Sequence, residues 1–142
     1  MTRPSSERGH EVRAHTADEI LEAWGPSREA CLEEAVHALV ESFADVSGAG
    51  WCRYLEVPLA GDDVDLLVGL LDEVIFRLDA DDGVPVRVRV RETRGGVLVD
   101  LWLADRRRVT GVGAAPKGVS YSGLEFAEDD AGRWRCRVIV DV

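Results

Sequence analysis

The chain has 142 residues, of which 46% are hydrophobic, and its 27 acidic and 17 basic residues give a formal net charge of −10. This length suffices for one domain with its own core, and the acidic balance opposes general nucleic-acid binding by counterion release. No stretch approaches the about 20 apolar residues of a membrane helix, and the polar residues 1–9 lack the apolar core of a signal peptide. We therefore expect a cytoplasmic domain over residues 10–142, preceded by a flexible tail over residues 1–9, with neither a membrane nor DNA as partner.

Short strands are predicted over residues 11–14 and 19–24, followed by two amphipathic helices. Ser27 is a suitable N-cap, and apolar residues then recur at helical spacing, which predicts a first helix to about Val46. The second helix begins after Gly61 with an aspartate cap. Its buried stripe comprises Val64, Leu67, Val68, Leu71, Val74, Ile75 and Leu78.

Three groups of polar residues resemble metal sites only superficially. Glu33, His37 and Glu41 share one outer helix face, where we expect a solvated charged stripe. Residues 79–83 are rich in aspartate but lack the glycine and glutamate positions of an EF-hand loop, so we interpret them as the end of the second helix. The cysteines have no CxxC spacing and are interpreted as reduced thiols; they are Cys31, Cys52 and Cys136.

The second half of the chain alternates with the period of β-strands. Valines alternate with arginines over residues 84–91, a hairpin turn is predicted at residues 94–96, and strands follow over residues 97–103, 118–127 and 133–141. The fold class is therefore α+β: an antiparallel, partly mixed β-sheet with two amphipathic helices packed on one face of a single compact domain. The outward arginine rows suit either RNA phosphates or a solvated sheet face.

Candidate chemistry is concentrated at the two ends of the chain. Asp18 lies at a strand boundary and Asp141 ends the last strand on its arginine-bearing face. If the fold brings them together, their carboxylates and the terminal oxygens of Val142 form an oxygen-rich pocket suited to a hard divalent cation. No nucleophile, zinc or nucleotide-loop signature accompanies them, which lowers the expectation of a stand-alone enzyme.

The order of these segments resembles the archease family, small acidic activators of RtcB-type RNA ligases. The resemblance covers residues 10–142 and depends most on His15-Thr16-Ala17-Asp18 and on Ile139-Val140-Asp141-Val142. The segment from Lys117 to Tyr121 matches the family as well. It implies that Asp18, Asp141 and Val142 bind metal, that Lys117 and Tyr121 lie near that site, and that His15 and Thr16 support it. The chain departs from the family pattern at Ser122, where histidine is common, and in a short loop over residues 106–116.

The resemblance implies a non-catalytic protein cofactor. Such a protein promotes guanylylation and multiple turnover of an RtcB-type RNA ligase in tRNA splicing or RNA repair, and it would contact RNA only indirectly. Calcium is the first choice of ion, with magnesium or manganese as alternatives. Two other readings stay open: a metal-dependent hydrolase or nucleotide-processing enzyme that uses the same aspartates, and a chaperone-like scaffold in which the aspartates only cap and solvate.

Overall fold

The computed structural model describes residues 7–15 and 18–142, including every side chain there except those of Ala14 and His15. Its elements in chain order are β1 (Gly9–His15), β2 (Asp18–Gly25), α1 (Arg28–Glu41), β3 (Ala44–Asp45), β4 (Arg53–Ala60), α2 (Asp63–Asp81), β5 (Gly83–Thr93), β6 (Gly96–Asp105), a 3-10 turn (Arg106–Arg108), β7 (Thr110–Gly111), β8 (Gly118–Glu128) and β9 (Trp134–Asp141). In this part of the chain neither helix has the length and apolar character needed to span a membrane.

The strands form separate antiparallel sheets. A four-stranded sheet has the order β1-β2-β9-β8, a three-stranded sheet has the order β4-β6-β5, and β3 pairs with β7. The predicted α+β class with antiparallel strands and two helices is confirmed, although the strands do not join into one sheet. Both helices contact strands of both larger sheets, so one continuous core joins them. Its fully buried residues include Leu21, Leu32, Leu39, Leu67, Leu71 and Leu101.

The helix starts follow the predicted capping. The Ser27 hydroxyl accepts a hydrogen bond from the Ala30 N–H at 3.0 Å, which satisfies an amide of the first turn of α1. At α2, Asp62 and Asp65 form a reciprocal capping box, with hydrogen bonds of 2.9 and 3.1 Å. The helix ends with Asp82 in the left-handed conformation at φ 54°. The aspartates at this point therefore belong to a helix end, as predicted.

The predicted extension of α1 to Val46 is wrong, because the helix ends at Glu41. The Ser42 hydroxyl donates to the Leu39 carbonyl at 2.6 Å, and the backbone then leaves the helix. The carbonyl of Phe43 instead accepts from Val112 N–H at 3.0 Å, next to the β3–β7 pair. A contact with a distant segment thus replaces the last helical turn that local periodicity favoured.

The valine and arginine alternation of β5 is interrupted once. The register with β6 shifts between Pro85 and Arg87, which leaves Val86 without a paired residue. Beyond this bulge the predicted pattern holds, with Val88 and Val90 buried and the intervening arginines outside. The bulge therefore determines which residues of β6 the arginines face.

Candidate functional site

Each of the four strands of the β1-β2-β9-β8 sheet has a terminus at one edge of the sheet, where β1 and β9 end and β2 and β8 begin. In the backbone register His15 pairs with Asp18, Asp18 with Asp141, and Asp141 with Gly118. We call these four residues the rim row. The row joins two segments near opposite ends of the chain, and it places the two predicted metal-binding aspartates directly opposite each other on adjacent strands.

The two aspartates share the outer face of this sheet. Along β9 the residues Val138 and Val140 are buried, whereas Asp141 is exposed, so Asp141 projects away from the core as predicted. Directly paired residues of an antiparallel ladder share a face, with Cβ atoms about 4.5–5.5 Å apart, and like charges placed there destabilise the pair. A bound cation would reverse the sign of this interaction. Asp18 is half-buried and Asp141 is exposed, so the position is open to solvent.

Lys117 adjoins the rim row through its backbone. Its N–H donates to the carbonyl oxygen of Asp141 at 2.7 Å. Its exposed side chain lines a groove of about 470 Å³ on the α2 side, together with Phe76 and Arg106. The backbone of the single lysine therefore lies next to the rim row, and its side chain extends towards α2.

Tyr121 lies on an irregular part of β8. The register with β9 is interrupted between Ser120 and Glu125, and Gly123 within this interval has a φ of 70°. A Cβ at Gly123 would lie 3.5 Å from Cδ1 of Ile139, so the bulge passes over the outer face two residues from Asp141. Tyr121 is 64% exposed there, three residues along β8 from Gly118 of the rim row.

The remaining predicted site residues are placed as follows. Val142 follows Asp141 directly and is half-buried. The backbone of His15 pairs with that of Asp18. Thr16 lies outside the described residues. The predicted residues that the structure describes thus gather at one edge of one sheet, although the roles assigned to them stay predictions.

The predicted metal ligands at this edge, Asp18, Asp141 and Val142, offer oxygen atoms. Carboxylates and main-chain oxygens suit calcium, magnesium or manganese better than softer ions. Among the side chains that the structure describes, which do not include that of His15, no three histidine, cysteine, aspartate or glutamate residues are grouped to hold a metal. A cation at the rim row would therefore need oxygen ligands beyond the two carboxylates, a role that the prediction assigns to Val142.

Comparison with known proteins identifies the family. The model of the Archease protein family (MTH1598/TM1083) matches residues 10–142. The chain belongs to the archease family. It is 42% identical over 141 residues to a protein of Mycobacterium tuberculosis described as "Probable protein archease", covering 99% of this chain and 78% of that protein.

Solved archease structures share the fold. The solution structure of protein 1598 from Methanobacterium thermoautotrophicum gives a TM-score of 0.73 at 27% identity, covering 94% of this chain and 99% of that one. A crystal structure from Thermotoga maritima, described as an archease and possible chaperone, gives a TM-score of 0.65 at 23% identity, with 93% and 96% covered. The second likeness supports the fold alone.

Arg8 and His10 form a charged cluster with three glutamates of α1, which the sequence did not indicate. The glutamates are Glu33, Glu34 and Glu41. Glu33 accepts hydrogen bonds from Arg8 at 2.9 Å and from Val90 N–H at 2.8 Å, and Glu41 contacts Nε2 of His10. The expectation of a solvated charged stripe on α1 holds for exposed Glu41 but is wrong for Glu33, which is bonded to Arg8 and to the β5 backbone. No local signal in the sequence indicates these partners, since they come from distant strands.

His10 lies between two glutamates of α1. Its Nδ1 is 2.8 Å from Oε1 of Glu34, and its Nε2 contacts Glu41. Burial lowers the pKa of His10, but its hydrogen bonds to Glu34 and Glu41 outweigh burial, so the pKa lies above its ordinary value. For Glu34 the directions are opposite. Burial raises the pKa of this carboxyl group, but its hydrogen bonds with His10 and Arg8 outweigh burial, so the pKa lies below its ordinary value. In its imidazolium form, His10 thus links β1 to α1 through its contacts with Glu34 and Glu41.

Proposed function

We propose that this protein is a non-catalytic activator of an RtcB-type RNA ligase, which promotes guanylylation of the ligase and its multiple turnover in tRNA splicing or RNA repair. The observation that carries the proposal is the rim row, where Asp18 and Asp141 lie opposite each other beside Lys117. Membership of the archease family supports it. The edge combines acidic oxygens with a lysine, which suits an interface with phosphate-bearing groups at a partner's nucleotide pocket.

A divalent cation is part of this proposal. The carboxylates of Asp18 and Asp141, with main-chain oxygens of Val142, would hold calcium, and magnesium or manganese are alternatives. The bound ion would supply positive charge for phosphate groups at the interface. Lys117 provides a second positive charge at the same edge, and the exposed ring of Tyr121 provides apolar contact area for a protein partner.

The test is multiple-turnover RNA ligation by the organism's own RtcB-type ligase with GTP and a divalent cation, with ligase guanylylation followed in parallel. Wild type is expected to restore repeated turnover. Asp18→Asn and Asp141→Asn are each expected to reduce it by about tenfold or more, as loss of groups that support a metal does. Asp130→Asn is the matched control, because Asp130 is an exposed aspartate in the β8–β9 turn.

Two results would count against the proposal. The first is turnover by the ligase that is the same with and without wild-type protein. The second is hydrolysis of a phosphoester by the protein alone that is lost in both aspartate variants, which would favour the metal-dependent hydrolase. Circular dichroism of each variant shows whether it is folded before its activity is compared.

A further inference from the structure

The outer face of the three-stranded sheet carries an ordered set of aromatic and arginine side chains. Tyr54 of β4, Trp102 of β6 and Arg87 of β5 are direct neighbours in the register and form one row across the sheet. The rings of Tyr54 and Trp102 have centroids 5.2 Å apart. The guanidinium carbon of Arg87 lies 4.5 Å from the Trp102 ring centroid, a cation–π contact. We call these three residues the aromatic row.

Two further arginines continue from the aromatic row along β5. Arg89 and Arg91 follow Arg87 at two-residue spacing and therefore project from the same face. Arg91 is neutralised by Asp100 at 3.0 Å and Glu56 at 3.7 Å. Arg87 lies over the Trp102 ring, and exposed Arg89, although it pairs with Asp100 in the register, forms no close ion pair with a carboxylate in the described part of the chain. The face thus carries three arginines against two carboxylates, a local positive excess in a protein whose net charge is −10.

A buried carboxylate holds this face in position. Asp100 is only 4% exposed, yet it lies on the outer side of β6, opposite Glu56 and Arg89. It accepts hydrogen bonds from the Tyr54 hydroxyl at 2.6 Å and from Nη2 of Arg91 at 3.1 Å. These bonds fix one ring and one arginine before any ligand arrives, which reduces the entropy lost on binding.

We infer that this face binds a short stretch of single-stranded RNA. Bases stack on exposed aromatic rings and on guanidinium planes, and arginines hold phosphates in a bidentate manner. Tyr54 is 43% exposed and offers a ring for stacking beside Trp102, while Arg87 and Arg89 supply the phosphate contacts. An acidic peptide would use the arginines but not the stacked rings, so the composition of the face favours nucleic acid.

This inference does not depend on the proposed function, because it concerns the protein without a ligase and a different sheet. It departs from the expectation that the protein contacts RNA only indirectly. The negative charge of the whole molecule opposes the contact at long range, so we expect binding that weakens steeply with salt. The RNA is single-stranded, because the bases of a duplex are stacked on one another and cannot stack on protein side chains.

Fluorescence anisotropy with a labelled, unstructured single-stranded oligoribonucleotide tests the inference. Wild type is expected to bind saturably at about 50 mM salt. Trp102→Leu is expected to weaken binding by about fivefold or more, because Tyr54 and Arg87 lose the ring against which they are positioned and with it one base-stacking contact. Arg89→Gln is expected to weaken it and to reduce the slope of log K against log salt by about 0.7, the value for one phosphate contact on a single strand.

Arg135→Gln is the matched control. Arg135 is an exposed strand arginine that pairs in register with a tryptophan, Trp24, but in the four-stranded sheet. It is expected to leave affinity and salt slope unchanged. The inference fails if wild type does not bind, if Arg135→Gln weakens binding as much as Arg89→Gln, or if a duplex binds more tightly than the single strand.

One more result would overturn the inference. If Arg89→Gln leaves RNA affinity unchanged but abolishes binding to the ligase, the face is a protein-docking surface. Arg89 is exposed, so its replacement keeps the fold and decides the question even if Trp102→Leu is destabilised.

Discussion

At the scale of single residues, Asp100 shows how a carboxylate can be buried on the outer face of a sheet. An isolated buried charge is costly, and Asp100 avoids that cost because a phenol and a guanidinium both donate to it. The hydrogen bond between Tyr54 and Asp100 also changes the pKa of the tyrosine. The hydrogen bond to Asp100, together with burial and the charges of Asp100 and Glu56, raises the pKa of Tyr54 to about 12.

Replacing this carboxylate is expected to release the phenol. In Asp100→Asn the pKa of Tyr54 should fall from about 12 towards the ordinary value of about 10, because the phenolate no longer faces a negative charge. The chain has two tyrosines, so the measurement is an ultraviolet absorbance titration in a Tyr121→Phe background. Glu56→Gln serves as the control and should produce a smaller shift. An unchanged titration curve in Asp100→Asn would show that the hydrogen bond does not form in solution.

At the scale of elements, β1 is the edge strand whose attachment to α1 depends on a titratable side chain. Its His10 faces Glu34 and Glu41 of α1, with His37 at a ring-centroid distance of 6.2 Å and Arg8 beside it on its own segment. Because the pKa of His10 is raised in the folded state, its stabilising contribution is present below its ordinary value of about 6.5 and is lost as the pH rises through the raised value.

The His10→Gln variant tests this attachment. The difference in free energy of unfolding between wild type and His10→Gln is expected to be about 1 kcal/mol near pH 6 and to shrink near pH 9, because the charged hydrogen bonds are lost. Urea unfolding at both pH values measures it. His37→Gln is the control with the opposite trend, since burial lowers the pKa of His37 and its contribution is lost as the pH falls. A difference for His10→Gln that does not change with pH would contradict the ionic contact.

The elements also show what local sequence determines. Both helix starts were predictable because Ser27 and Asp62 cap amides within three residues of themselves. The end of α1 was not predictable, because it depends on the hydrogen bond from Val112 N–H to the Phe43 carbonyl, between segments far apart in sequence. The outward arginines of β5 were predictable from their period of two. Their stacking partner Trp102 was not, because the bulge at Val86 sets the register.

At the scale of the whole molecule, the paired aspartates add to a net charge of −10, and a bound cation would stabilise the fold. With calcium at about 100 times its dissociation constant, linkage gives about 2.7 kcal/mol of added stability. The melting temperature of wild type is therefore expected to rise with calcium, relative to sodium at equal ionic strength, which removes the effect of screening.

The variants Asp18→Asn and Asp141→Asn should lose this rise in melting temperature, whereas Asp130→Asn should keep it. Magnesium and manganese, titrated in the same way, rank the ions. If calcium raises the melting temperature of Asp18→Asn as much as that of wild type, the ion binds elsewhere and the assignment of the rim row as a cation site is wrong.

The residues of the candidate site were predictable from the sequence, but their arrangement in space was not. The alternation along β9 was enough to place Asp141 on the polar face, and the family resemblance pointed to Asp18 as its companion. Their direct pairing depends on the non-local register of β2 with β9, which no local pattern contains. The bulge that carries Tyr121 likewise depends on how β8 meets β9.

The strand order of the four-stranded sheet has a consequence for biosynthesis. β9 comes last along the chain but occupies an inner position, between β2 and β8. While the polypeptide is being made, β2 and β8 therefore keep unpaired edges, which are prone to association with other chains. Long-range pairing of this kind forms late. The aspartate pair can arise only when that final strand is inserted, so a partner that binds there selects fully folded molecules over nascent ones.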